Sequence, residues 1–373
     1  MFAALGVRDF RNLWFGTFAG HLGFWVYVTA QSWLAWELTQ SATFLGVTNV
    51  AAALPGLVLM LPGGVIADRW NRRKMLLYSN VFQLLGGMVT VSLIAADSIE
   101  PWQLLALMTV IAAAAAINLP ARQSLGPEVA GPSLVANTVA LNAISFNLSR
   151  VLGPMIAGLL IAAGGNTGSF VVAAVLFVLA VVLTLLLRPD TSRAGVAPQR
   201  SVIGNFTEGL RFVRDERTVR ASTIVCVIEN ALGMAYVPLM PALAADVFRV
   251  GGGGLGLLMA GLGFGSLLGA IGSASIHRMQ MKGRVVIVSG AIYGAAIVAF
   301  AATGSLVIAM VTLVVLGVSQ ALSLITGQTI LNLATPNELR GRTMSVYMMS
   351  WSIAPLSALP AGWAADTVGA MTT

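Results

Sequence analysis

Long apolar stretches punctuated by short polar or basic segments run through the whole chain. Stretches such as 171–187 and 306–318 hold apolar residues at consecutive positions. They lack the two-residue alternation of a half-buried strand and reach the ~20 residues that a helix needs to cross a bilayer. The pattern predicts helices over 12–37, 42–66, 74–96, 101–121, 137–163 and 168–187, then over 220–245, 253–275, 284–302, 305–332 and 340–365. The one long polar stretch, 188–219, divides the chain after the sixth helix. It opens with Pro189, Gly195 and Pro198, as a linker does. It then becomes a short amphipathic helix, with Phe206, Leu210 and Val213 on one face and arginines around them, placed on the inner membrane surface. The expected domains are an N-terminal six-helix bundle over 1–187, a cytoplasmic linker over 188–219, and a C-terminal bundle over 220–373.

Composition supports the membrane reading. Charged residues are 9% of the chain and hydrophobic ones 57%, whereas a soluble domain carries about 25% charged residues. A membrane β-barrel would show alternating segments of ~10 residues, so the fold class is an all-α polytopic membrane protein. The apolar stretch after residues 1–11 is too long for the h-region of a cleaved signal and reads as an uncleaved first span. The single cysteine, Cys226, excludes an internal disulfide and a cysteine-based metal site, and reads as a packed small residue.

Charge placement sets the orientation. With the N-terminus cytoplasmic, all of the 21 basic residues fall on inner segments except Arg249, which is outside, and Arg150, which is within a span. Basic residues stay on the cytoplasmic side, so the net charge of +7 reflects topology and anionic lipid, not nucleic acid. Outer loops such as 162–168 and 302–305 are very short, which places the function between the helices.

Weak repeats mark the two halves. The second predicted helix ends LPGGVIAD at 61–68 and the eleventh LPAGWAAD at 359–366. Gly153, Pro154 and Gly158 occur in the fifth, and Gly261, Gly263, Gly265, Gly269 and Gly272 in the eighth. Glycine and proline thus recur with a period of three helices, as nested inverted repeats would give. They suit helices that approach closely and bend, and mark Gly153, Pro154, Pro360 and Gly362 as hinges.

The stretch GVIADRWNRRK at 64–74 resembles the cytoplasmic loop motif of the major facilitator superfamily. The stretch 273–284, with His277 and Arg278, is similar to a degenerate second copy. PARQ at 120–123, NLSRVLGP at 147–154 and LRGRTMS at 339–345 are similar to the branch containing the enterobactin exporter and macrolide efflux proteins. The resemblance covers essentially the whole chain and implies two pseudo-symmetric six-helix bundles that rock about a central pocket. It also implies twelve spans, whereas the pattern supports eleven before Thr373, so a missing final helix is expected.

The resemblance implies an inner gate made by Gly64, Asp68, Arg69, Arg72, Arg73 and Arg122. In it Asp68 meets the N-terminus of the eleventh helix and pairs with Arg122 at the inner end of the fourth. The plainer account of Arg72, Arg73 and Lys74 is positive-inside signalling. Glu229 is the one acidic residue placed well inside a span. A charge there costs about 2.5–3.5 kcal/mol on insertion scales, so it faces a cavity or partner and can exchange a proton as access alternates; a structural hydrogen bond with Asn230 is the rival reading. Arg150 either meets an anionic substrate group, pairs with Glu229, or snorkels to the inner surface. His21 is either a pH-sensitive switch or a neutral hydrogen-bonding group. Gln31, Asn49, Asn118, Asn142, Asn147, Gln320 and Gln328 are the amides within spans, some of which should line the cavity, with Trp25, Trp33 and Trp36 available for stacking.

The expected function is proton-coupled efflux of a small organic molecule, siderophore-like or drug-like. The alternatives are uptake by the same fold and a non-transporting sensor or decayed transporter. An enzyme is disfavoured by the absence of HExxH and GxSxG motifs, and an ATP-driven pump by the absence of GxxxxGK[ST]. No cofactor or metal is expected, the proton gradient being the driving force. The expected partners are a small-molecule substrate and membrane lipid, with no nucleic acid, for a monomer in the inner membrane.

Overall fold

A computed structural model describes residues 3–69, 71–188, 202–231, 233–276, 282–336, 339, 342–344, 346–347 and 354–369. The side chains of 59–69, 120, 124, 136, 202–206, 274–276, 354 and 355 lie outside the description. The chain divides into two compact units. One takes Met1–Gln40, Ala51–Ala197 and Gly251–Gly256; the other takes Ser41–Val50, Pro198–Val250 and Leu257–Thr373.

The first unit is built from α1 (Arg8–Thr39), most of α2 (Ala42–Arg69), α3 (Arg72–Ala95), α4 (Pro101–Ala130), α5 (Val135–Gly164) and α6 (Asn166–Leu185). Local signals set the ends. Asn71 caps α3 by accepting the Lys74 N–H at 3.0 Å. Glu100 and Gln103 form a capping box at α4, with Pro101 at its first position. Gly131 and Gly165, at φ 90° and 85°, stop α4 and α5.

α4 runs further than the apolar pattern predicts. Pro120 does not end it; the helix continues to Ala130 and stops at Gly131. Arg122 is therefore inside the helix and buried, not at its inner end. α1 packs against α4, α5 and α6, and α3 against α4 and α6. α1 carries buried residues on all sides, and its Tyr27 hydroxyl bonds Thr90 of α3 at 3.0 Å in the core.

The second unit holds α7 (Val202–Asp215), α8 (Arg217–Ala231), α9 (Gly251–Ile276) from Leu257 onward, α10 (Lys282–Ala301), α11 (Leu306–Ala334) and α12 (Ala358–Val368). The continuous helix expected over 220–245 is broken. α8 stops at Ala231, and the chain resumes as short helical turns at Val237–Leu239, Met240–Ala242 and Leu243–Val247. Pro238 and Pro241 lack the N–H that a continuing helix requires. The Tyr293 hydroxyl of α10 donates to the Gly233 carbonyl at 2.7 Å, satisfying one group that the break frees.

The amphipathic helix exists as α7, but its faces differ from expectation. Val213 is buried in a core with Val219, Cys226, Leu324, Leu331, Val346 and Tyr347, while Leu210 is exposed. Glu208 of α7 pairs with Arg342. Phe206 lies outside the described side chains.

Among the described residues, seven helices are long and apolar enough to cross a membrane: α3, α4, α5, α6, α9, α10 and α11. α1 has the length, at 32 residues, but carries more polar groups. Large apolar side chains point outward along these helices, among them Val175, Ile287, Val298, Val307 and Val311. Water would penalise such a surface, whereas hydrocarbon accepts it. The protein is an all-α, multi-pass membrane protein.

Candidate functional site: one polar centre in each unit

In the first unit, a cavity of about 170 Å³ opens between α1, α3, α4 and α5. His21 and Arg122 meet in it: an Arg122 guanidinium nitrogen hydrogen-bonds the His21 ring at Nε2. Arg122 can only donate, so Nε2 accepts and the ring proton sits on Nδ1. That nitrogen lies 3.4 Å from Ser145 Oγ and donates to it. Behind this pair, Asn118 Nδ2 donates to Ser79 Oγ and Asn80 Oδ1, both at 2.9 Å, and Asn80 donates to Thr184 Oγ1 at 3.0 Å. Gly16 and Gly20 line the cavity from α1, where they also let α6 approach closely, and Phe24, Trp25 and Phe146 form an apolar side. His21 is thus a hydrogen-bonding partner of a buried cation.

In the second unit, Glu229 of α8 is buried, at 6% exposure. Its Oε1 accepts the Ser323 hydroxyl of α11 at 2.6 Å, and its Oε2 has no hydrogen-bond partner among the described residues. Gly290 of α10 leaves room beside the same carboxylate: a Cβ there would sit 3.1 Å from Oε1. The expected bond to Asn230 is not formed; Asn230 donates to the Cys226 carbonyl one turn back, at 2.9 Å. Gln320, one turn before Ser323, is also buried, with its Nε2 unpartnered.

The remaining expected residues are dispersed. Arg72 pairs with Glu128 near the end of α4, and Arg73 donates to the Leu185 carbonyl at the end of α6 at 2.9 Å. Both tie inner helix ends together within the first unit. Arg122 bonds His21, and the side chains of Gly64, Asp68 and Arg69 lie outside the description, so the expected Asp68–Arg122 pair is not seen among the described side chains. Arg150 is half-buried on α5. Asn147 donates to the Ala143 carbonyl of its own helix, at 2.8 Å. Gln31 is buried on α1 with its Nε2 unpartnered. Gly153 and Pro154 are buried in α5, where a Cβ on Gly153 would strike Trp25. In α12, Pro360 is exposed and Gly362 is buried against Ala42.

Two contacts between helices escaped the sequence reading. Glu128 sits beyond the predicted end of its helix. Asp366 accepts the Ser41 hydroxyl and the Ala42 and Thr43 N–H groups at 2.8–2.9 Å, capping α2. The only signal for Asp366 was its place at the end of the LPAGWAAD repeat.

Comparison with known proteins places the fold and the family. The chain is 26% identical over 361 residues to the multidrug efflux pump Tap of Mycolicibacterium fortuitum, covering 92% of this chain and 86% of that one. It is 22% identical over 361 residues to the staphyloferrin A transporter of Staphylococcus aureus, covering 94% and 88%. The solved nucleoside transporter NupG superposes with a TM-score of 0.76 at 13% identity, over 96% of this chain and 91% of that one, which shows a shared fold. The family model described as transmembrane secretion effector matches residues 1–371, so the chain belongs to that family of major facilitator transporters.

Proposed function

We propose that this transporter exports a small organic molecule across the cytoplasmic membrane by alternating access, with Glu229 carrying the coupling proton. The observation behind the proposal is the Glu229 environment. A carboxylate is buried on a helix that breaks within a turn of it, is held by a single hydroxyl through one oxygen, and keeps its other oxygen unpartnered. A structural carboxylate at membrane depth would be expected to hold a cationic partner or a full set of donors. One that exchanges a proton needs to be stable in both forms, and a lone hydroxyl serves both: Ser323 donates to the carboxylate and accepts from the acid. Broken helices at transporter midplanes are where substrate and coupling ions meet.

The outward direction rests on the relatives, one of which is named an efflux pump. The cytoplasmic N-terminus rests on the basic residues of the inner segments. Purified protein in proteoliposomes is the test: with an imposed pH gradient, Glu229→Gln should lose gradient-driven flux while retaining its amount in the membrane. Flux that is indifferent to the gradient in the unmodified protein would remove proton coupling. Accumulation of substrate by intact cells would reverse the direction.

A further inference from the structure

We propose that the first-unit cavity is an anion subsite, taking the acidic group of an aromatic organic acid. This rests on the transport reading and names the substrate class for the same protein.

Arg122 is 7% exposed, and a guanidinium keeps its charge even when buried. Its described partner, His21, accepts with a neutral ring nitrogen and brings no negative charge. Among the described side chains that line the cavity there is no carboxylate. Thr17 lines the cavity with Arg122; Arg122 Nε and Thr17 Oγ1, both shielded from solvent, have no hydrogen-bond partner among the described residues. Among the described side chains this buried cation meets only a neutral partner, and a carboxylate would compensate its charge. The Arg122 guanidinium is the group the carboxylate would pair with.

The rest of the cavity describes the remainder of the ligand. His21 and Phe146 are edge-to-face at 5.5 Å, and Trp25 lies 6.4 Å from Phe146. Phe24 adds to this wall. A flat ring suits this slot, with its acidic edge toward Arg122. A cationic amphiphile would meet the guanidinium without compensation.

The test uses the full chain in detergent and three matched probes: 2-naphthoate, 2-naphthamide and 2-naphthylmethylammonium. Binding is read by calorimetry. The naphthoate should bind at least ~10-fold more tightly than the amide, and the ammonium more weakly than either. Arg122→Gln should abolish the difference between naphthoate and amide, chiefly by weakening the naphthoate, and Arg122→Lys should keep part of it, because lysine retains the charge but loses the planar fork. The three-probe comparison on the unmodified protein stands even where a variant fails to fold. Equal affinity for naphthoate and amide, no binding of any probe, or a naphthoate preference that survives Arg122→Gln overturns the subsite. Charge-selective binding without flux in proteoliposomes would instead overturn the transport reading and leave the subsite standing.

Discussion

Asp366, in the last turn of α12, accepts the backbone N–H of Thr43 at 2.9 Å, across 323 residues of sequence. The same carboxylate takes the N–H of Ala42 at 2.8 Å and the hydroxyl of Ser41 at 2.9 Å, so one side chain satisfies the first turn of α2. Gly362, one turn earlier, lets the two backbones approach: a Cβ there would collide with the Ala42 carbonyl. The negative charge also lies at the positive end of the α2 dipole.

This cap gives a stability prediction with a defined pH dependence. Partial desolvation pushes the Asp366 carboxyl up, but the hydrogen bonds from Thr43, Ala42 and Ser41 outweigh it and hold the group below its ordinary value. A depressed carboxylate stabilises the fold fully above the ordinary aspartate range and loses that contribution as pH falls through the lowered value. Asp366→Ala should therefore cost about 0.5–2 kcal/mol at neutral pH, and the gap to the unmodified protein should close in strong acid. Asp366→Asn keeps an acceptor and should lose less. Thermal unfolding in detergent from pH 7 down to pH 2 checks this; a deficit that stays constant across that range would exclude the charged cap.

Ser323 is the described donor to Glu229, at 2.6 Å. Ser323→Ala leaves both carboxylate oxygens without a partner in a buried site. A hydrogen bond to a charged group is worth about 1.5–3 kcal/mol, so the variant should be less stable and should transport with an altered dependence on pH. Ser323→Thr retains the hydroxyl and should keep the pH profile of the unmodified protein. Flux measured against pH in proteoliposomes separates the two, and identical profiles for serine and alanine would deny Ser323 its part in proton exchange.

Small residues in the spans have unequal roles. In the first unit, Gly158 of α5 meets Gly256 of α9 so closely that a Cβ on either would run into the other's backbone. Gly294 of α10 has nothing within 4 Å of an added Cβ. Gly158→Val should cost about 1–3 kcal/mol by overpacking, whereas Gly294→Ala should be neutral or stabilise by up to about 1 kcal/mol through helix propensity. Melting midpoints of the two variants settle the contrast.

The spans of α3, α4, α5, α6, α9, α10 and α11 were legible because hydrocarbon demands long runs of apolar residues, and those runs are local. The end of α4 was not legible: a helix that passes through Pro120 and on to Gly131 obeys tertiary packing, and Arg122 moved with it from the expected membrane edge into the core. The break after α8 had its causes in plain view at Gly233, Pro238 and Pro241, but average hydropathy does not register a missing N–H. The centres themselves depend on distant partners. His21 finds Arg122 101 residues away, and Glu229 finds Ser323 94 residues away. Glu229 was identifiable in advance because charge is rare in a span; its partner was one serine among many.

Arg72 and Glu128 offer a test of whether the basic residues after α2 do more than mark topology. They pair at the start of α3 and near the end of α4, with side chains 14% and 30% exposed. A partly exposed pair contributes about 0.2–1 kcal/mol, so Arg72→Ala and Glu128→Ala should each cause only a small loss of stability, and added salt should shrink it. Arg72→Glu brings two carboxylates together and should cost more; adding Glu128→Arg should restore most of the loss. A double-mutant cycle on thermal midpoints reads the coupling directly. If the swapped pair recovers stability but not flux, Arg72 has a second duty in transport beyond holding α3 to α4. Recovery of both would confine it to that structural tie.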